Sequence, residues 1–193
     1  MIIPIGVDCD VAEFCRKYNL RHVSLPFDWT VTYNGVSKCI EDNFNSFVEP
    51  LTEKRINKYD VYFHHDFSNT STIDEDKTKY IRRCNRLIHT METSSEQLVF
   101  LRKGHACHHH HEHDGNYSNI TSDIDDCEHL NTVLSDKYPT LDYKIIVILV
   151  CGDCFHQTEK YASRSDKVEI YNIASSNADS SIFENCARGI FNV

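Results

Sequence analysis

Lys144-Ile145-Ile146-Val147-Ile148-Leu149-Val150-Cys151 is the stretch that decides the fold. After the lysine every residue is apolar and most are β-branched. No polar residue alternates with them, so the run has no solvent side. It is far too short to cross a bilayer. It suits a strand covered on both faces, as strands of parallel sheets are.

Helical and extended patterns alternate outward from that strand. Before it, Cys127, Leu130, Val133 and Leu134 recur at helical spacing within Ile124 to Tyr138. Gln97 to Arg102 reads as a strand. Asp74 to Thr93 is the clearest helix, with Tyr80, Ile81, Cys84, Leu87, Ile88 and Met91 on one stripe. Its other face carries Lys77, Lys79, Arg82, Arg83 and Arg86, a solvated face or an anion-binding rim. After it come a strand at Val168 to Ile173 and a short helix at Ser180 to Phe191.

Nearer the N-terminus, Ile2 to Val7 is a buried strand, and Val11, Phe14, Cys15 and Tyr18 mark a helix. Val23 to Trp29 is expected to be extended and held by Pro26. Gly35 to Phe47 is a second amphipathic helix, and aromatic-rich Tyr59 to Phe67 a strand. The order predicts an α/β fold: a three-layer, Rossmann-like, mostly parallel sheet flanked by helices. One domain is expected over residues 1–193, interrupted by a polar, His-rich loop at about 103–122.

A chain of 193 residues can bury a proper core. Its formal charge of −9 argues against general nucleic-acid binding, which needs a basic face. Met1 to Gly6 has no basic region followed by a long apolar one, so no leader and no membrane insertion are expected. Nine cysteines, an odd number, argue for reduced thiols and a cytoplasmic setting rather than a disulfide framework.

Ligands of parallel α/β sheets gather at the carboxyl ends of the strands. The polar residues there are Asp8 and Cys9, then His64, His65 and Asp66, then Arg102, then Gly152 and Asp153. Cys9 sits where a strand becomes a helix. The helix terminus stabilises thiolate, and its free N–H groups suit a developing oxyanion. A histidine from another strand end would supply the base. Adjacent strand residues point oppositely, so His64 and His65 face the site together only if the strand has ended. Asp66 is too close in sequence to orient His65, which leaves Asp28 or Asp153 as the orienting carboxylate. Against this stands the plain reading of any one thiol among nine as a small core hydrophobe. A phosphatase loop is excluded: Cys9 and Arg16 are separated by six residues, and the intervening residues include no glycine.

Ile5-Gly6-Val7-Asp8-Cys9-Asp10-Val11-Ala12, then Leu20-Arg21, then Leu25-Pro26-Phe27-Asp28-Trp29 form a specific pattern. With Phe63-His64-His65-Asp66-Phe67, Lys79-Tyr80-Ile81-Arg82-Arg83 and Phe100-Leu101-Arg102, it resembles a family labelled papain-like cysteine peptidases, found in bacteria and large DNA viruses. The resemblance covers roughly the first half of the chain, and Pro-Phe-Asp-Trp is its most diagnostic part. It implies Cys9 as nucleophile and His65 as base, acting on a peptide, amide or ester. It also implies an alternative fold, papain-like α+β, in which the cysteine helix packs on an antiparallel sheet. Asp8, Trp29, His64, Asp66 and Arg102 are the expected substrate-binding residues, with Asp28 completing the catalytic set.

His105, Cys107, His109, His111 and His113 suit Zn, Ni or Cu as ligand types. Consecutive histidines preset no tetrahedral geometry. Adventitious Zn or Ni binding is therefore expected, and no cofactor is required. Cys151-Gly152-Asp153-Cys154 has redox-pair spacing but reads as a plain turn. Two other functions compete with a thiol hydrolase. One is a transferase or a nucleotide- or glycan-handling enzyme using Arg102, His65 and Asp28. The other is an inactive binding protein, which in a virus would meet a host protein in the host cytoplasm.

Overall fold

The computed structural model describes residues 1–32, 35–104, 123–151, 165–174 and 180–193. Its strands are β1 (Ile2–Pro4), β2 (Val31–Thr32), β3 (Val61–Tyr62), β4 (Leu98–Gly104), β5 (Tyr143–Cys151) and β6 (Val168–Ala174). Its helices are α1 (Asp10–Lys17), α2 (Val36–Glu41), α3 (Ile73–Thr93), α4 (Asp123–Lys137) and α5 (Ser180–Phe191). The His-rich tract with His105, Cys107, His109, His111 and His113 lies outside the described residues, as do Asp153 and Cys154.

Four strands form a sheet in the order β1-β4-β5-β6, and every neighbouring pair is parallel. The apolar run at β5 explains its central place. Ile145, Val147 and Leu149 join a core built with Val36, Cys39 and Ile40 of α2, Tyr80 and Leu87 of α3, and Leu130 and Leu134 of α4. Ile146, Ile148 and Val150 face the other way, onto Val11, Phe14 and Cys15 of α1 and Phe183 and Ala187 of α5. Successive residues thus serve opposite faces, as pleating requires. The result is three layers, α1 and α5 on one side of the sheet and α2, α3 and α4 on the other. The parallel sheet also decides against the α+β alternative.

The edge strand extends beyond β1. Ile5 N–H donates to the Leu101 carbonyl at 2.9 Å and Val7 N–H to the Lys103 carbonyl at 3.1 Å. The whole segment from Ile2 to Val7 therefore runs along β4 and delivers Asp8 and Cys9 to the carboxyl end of the sheet. β4 itself runs to Gly104, so Lys103 belongs to a strand and not to the polar loop predicted from residue 103.

Other boundaries differ for identifiable reasons. The predicted strand from Tyr59 to Phe67 shrinks to β3, which pairs antiparallel with β2 in a separate two-stranded sheet. Asn57 accepts the N–H groups of Tyr59 and Val61, and Asp60 and Phe67 adopt positive φ, so the chain turns at both ends. Phe63 and Phe67 leave the strand to pack with Phe47 and Tyr80. Within Val23 to Trp29 the chain is not extended to the end but turns over Pro26 to Trp29, where the Asp28 carboxylate accepts the Leu25 N–H at 3.1 Å. The helix expected over Gly35 to Phe47 stops at Glu41, where Asn43 and Phe44 take left-handed backbone.

Polar pins hold the layers together. Ser37 of α2 donates to Asp126 of α4, and its hydroxyl lies 3.0 Å from His129 Nδ1. The basic face of α3 is largely occupied. Lys77 reaches Glu49 at 2.7 Å, Lys79 reaches Asp66 at 2.6 Å and Asp76 at 2.8 Å, and Arg86 donates to the Ser24 carbonyl at 2.7 Å. Among the described residues, no helix is long and apolar enough to cross a membrane.

Candidate active site around Cys9

Cys9 is the residue at the start of α1, and its carbonyl accepts the Glu13 N–H at 2.9 Å. Asp8 Oδ1 accepts the Asp10 N–H at 3.0 Å, which closes the turn around the thiol. Val7 also accepts from Thr32 N–H at 2.9 Å, tying the turn to β2. Gly6 is required here. A Cβ at that position would lie 2.3 Å from Val11 Cγ2, so α1 packs directly on the strand end.

Asp8, Cys9, Trp29, Thr30, Val31, His64 and His65 line one cleft of about 240 Å³. The fold thereby brings together residues far apart in sequence. Both histidines face it because β3 has ended and the chain bends after Phe63. Arg55 holds that bend, donating to the carbonyls of His64 at 3.0 Å and Asp66 at 3.3 Å. The His65 ring meets Trp29 edge-on at 6.4 Å, and the His64 ring meets Tyr62 at 5.6 Å. Trp29 is fixed in turn by the guanidinium groups of Arg16 and Arg21, 5.7 Å and 6.0 Å from its ring centre.

The thiol's surroundings push its pKa up. Burial is the largest cause, followed by the charges of Asp8, Glu13 and Asp10, and a backbone hydrogen bond pulls only weakly the other way. Burial and the acidic neighbours work against the helix-terminus effect expected from the sequence. At rest the sulfur holds its proton, so reaction at neutral pH needs a base.

Three residues expected at the site lie elsewhere. Asp28 is fully buried, paired with Arg21 and bonded to Leu25, and does not line the cleft. Asp66 pairs with Lys79 and accepts from the Tyr80 hydroxyl at 2.7 Å. Burial works to raise its pKa, but Lys79, Tyr80 and Arg83 hold it below the usual carboxylate range. Arg102 is wholly buried beneath α4, donating to Asp123 at 2.6 Å and to the Ile5 carbonyl at 2.7 Å. Asp28 and Arg102 are thus framework residues, one setting the Trp29 turn and the other pinning the strand end. Lys103, predicted from sequence to begin the polar loop, reaches Asp8 at 2.9 Å and Asp10 at 2.5 Å, the residues on either side of Cys9 in the chain. Strand parity carries the signal: with Arg102 on the α4 face, Lys103 must lie on the α1 face. Among the described residues, no group of three or more His, Cys, Asp or Glu side chains is placed to hold a metal ion.

An uncharacterized protein of Acanthamoeba polyphaga mimivirus is 33% identical over a match covering 53% of this chain. The chain spans 60% of that relative's length. No solved structure matches. The model of the family described as "putative papain-like cysteine peptidase" matches residues 1–56. The segment that builds the Cys9 turn and the Trp29 wall is thus the segment in which this chain is similar to that family.

Proposed function

We propose that the chain is a thiol-dependent hydrolase of acyl substrates, peptide, amide or ester, with Cys9 as nucleophile and His65 as base. One observation carries the reading: Cys9 and His65 line the same cleft although strand, helix and turn separate them in sequence. The family description of residues 1–56 is consistent with it.

Cys9 Sγ attacks the acyl carbon, its proton passes to the His65 imidazole, and the carbonyl electron pair moves to oxygen. The first-turn N–H groups of α1 are the available donors to that oxyanion, other than those of Asp10 and Glu13, which Asp8 and the Cys9 carbonyl occupy. The carbon–leaving-group bond then breaks as His65 returns its proton to the departing atom. Water attacks the thioester with His65 again as base, and the sulfur regains its proton. His65 is taken as the base because the family resemblance points to it and because its ring meets Trp29 of the cleft wall. No metal or other cofactor is needed for this chemistry.

The rival reading, a transferase or nucleotide- or glycan-handling enzyme, needs Arg102, His65 and Asp28 together, and Asp28 is paired with Arg21 away from the cleft. The Arg102 guanidinium is bonded to Asp123 and Ile5 inside the protein. Turnover of p-nitrophenyl esters and fluorogenic peptide amides tests the proposal. Cys9→Ala is expected to abolish it and His65→Ala to reduce it by roughly 10²–10⁴-fold. Unchanged turnover in a folded Cys9→Ala protein would overturn the assignment.

A further inference from the structure

We propose that Lys103 is the positioning residue of the Cys9 turn, its ammonium bridging Asp8 and Asp10 and so holding the sulfur in the cleft beside His64 and His65. The inference deepens the hydrolase reading and rests on it for its catalytic meaning.

The argument begins with parity. Leu101 and Lys103 lie on the α1 side of β4, and Lys103 is only 8% exposed. A buried ammonium needs charged partners. Its partners are the residues immediately before and after Cys9, at 2.9 Å and 2.5 Å. Each carboxylate oxygen has its own task. Asp8 Oδ1 takes the Asp10 N–H and Asp8 Oδ2 takes the lysine. Burial works against the lysine's charge, but Asp8 and Asp10 outweigh it and the group stays an ammonium. The lysine's own carbonyl accepts the Val7 N–H at 3.1 Å, so strand and turn are joined by backbone and side chain together.

Without the ammonium, the carboxylates of Asp8 and Asp10 would lose the cation that bonds them both. The charged and titratable groups around Cys9 are Asp8 on its own turn, Asp10 and Glu13 on α1, and His64 and His65 in the cleft, with Lys103 of β4 reaching them through Asp8 and Asp10. Among the described residues, Lys103 is the cation bonded to that acidic turn. It therefore sets the turn's geometry and offsets the repulsion that opposes a negative charge on sulfur.

Alkylation of Cys9 by iodoacetamide, followed by peptide mass spectrometry as a function of pH, tests this without any need for turnover. Lys103→Met is expected to move the midpoint of the rate profile upward by about one pH unit, roughly a tenfold loss of rate below the midpoint. Lys103→Arg is expected to restore most of it. Asp10→Asn, which keeps the lysine and removes one carboxylate, is expected to move the midpoint downward. It carries the test if Lys103→Met does not fold. A folded Lys103→Met protein with an unmoved midpoint would overturn the proposal, as would an unmoved midpoint in Asp10→Asn. Shifted alkylation in a protein that hydrolyses nothing would instead sink the hydrolase reading and leave the role of Lys103 standing.

Discussion

Burial and three neighbouring carboxylates hold the Cys9 thiol above its ordinary range, so the sulfur is protonated at neutral pH. A cysteine in that state reacts through a base and not as a standing thiolate. The sign of its pH dependence follows. The thiolate fraction, and with it the alkylation rate in the absence of substrate, rises as pH increases through the elevated pKa. Iodoacetamide labelling of Cys9 is therefore expected to climb steadily from pH 7 to beyond pH 9. A flat plateau through the neutral range would mean a preformed thiolate–imidazolium pair and would contradict this picture. Nothing in the local sequence warns of it, because Asp8, Asp10 and Glu13 read equally well as helix-capping acids.

At the scale of elements, the site depends on two junctions. One is the β1 extension along β4, which carries Cys9 to the sheet's carboxyl end. The other is the bend after β3, which presents His64 and His65. Arg102 guards the first junction, joining β4 to the Ile5 carbonyl and to Asp123 at the start of α4. Both side chains of that ion pair are fully buried. Arg102→Met would leave the Asp123 carboxylate inside without its cation, at a cost of about 3–5 kcal/mol. Urea unfolding monitored by circular dichroism measures it. A loss under about 1 kcal/mol would show that the pair is not holding the junction. The same comparison separates framework from chemistry: Arg102→Met should lower stability, whereas His65→Ala should lower turnover in a protein of near-normal stability.

For the whole molecule, what the sequence made legible was period and order. The apolar run at β5 serves both faces of the sheet, and the apolar residues of α1, α3, α4 and α5 each meet one face, except Ile81 of the predicted α3 stripe, which is 49% exposed. Those patterns are local, so they can be read along the chain. The same holds for Cys9 at a strand-to-helix turn. The Trp29 turn was not legible, because it depends on the carboxylate of Asp28 meeting Leu25 N–H and Arg21. Neither was the partner of β3, since a short aromatic stretch fits an antiparallel pair as well as a parallel sheet. Lys103 escaped because its role requires Asp8 and Asp10 to arrive from an adjacent strand. The proposal is that Cys9 acts as nucleophile with His65 as its base. It is tested most directly by quenching the protein during turnover of a p-nitrophenyl ester and locating the acyl group by peptide mass spectrometry. The account predicts a thioester on Cys9, absent from Cys9→Ala and slow to form in His65→Ala. Acyl groups spread evenly over the accessible cysteines, or none on Cys9, would contradict it.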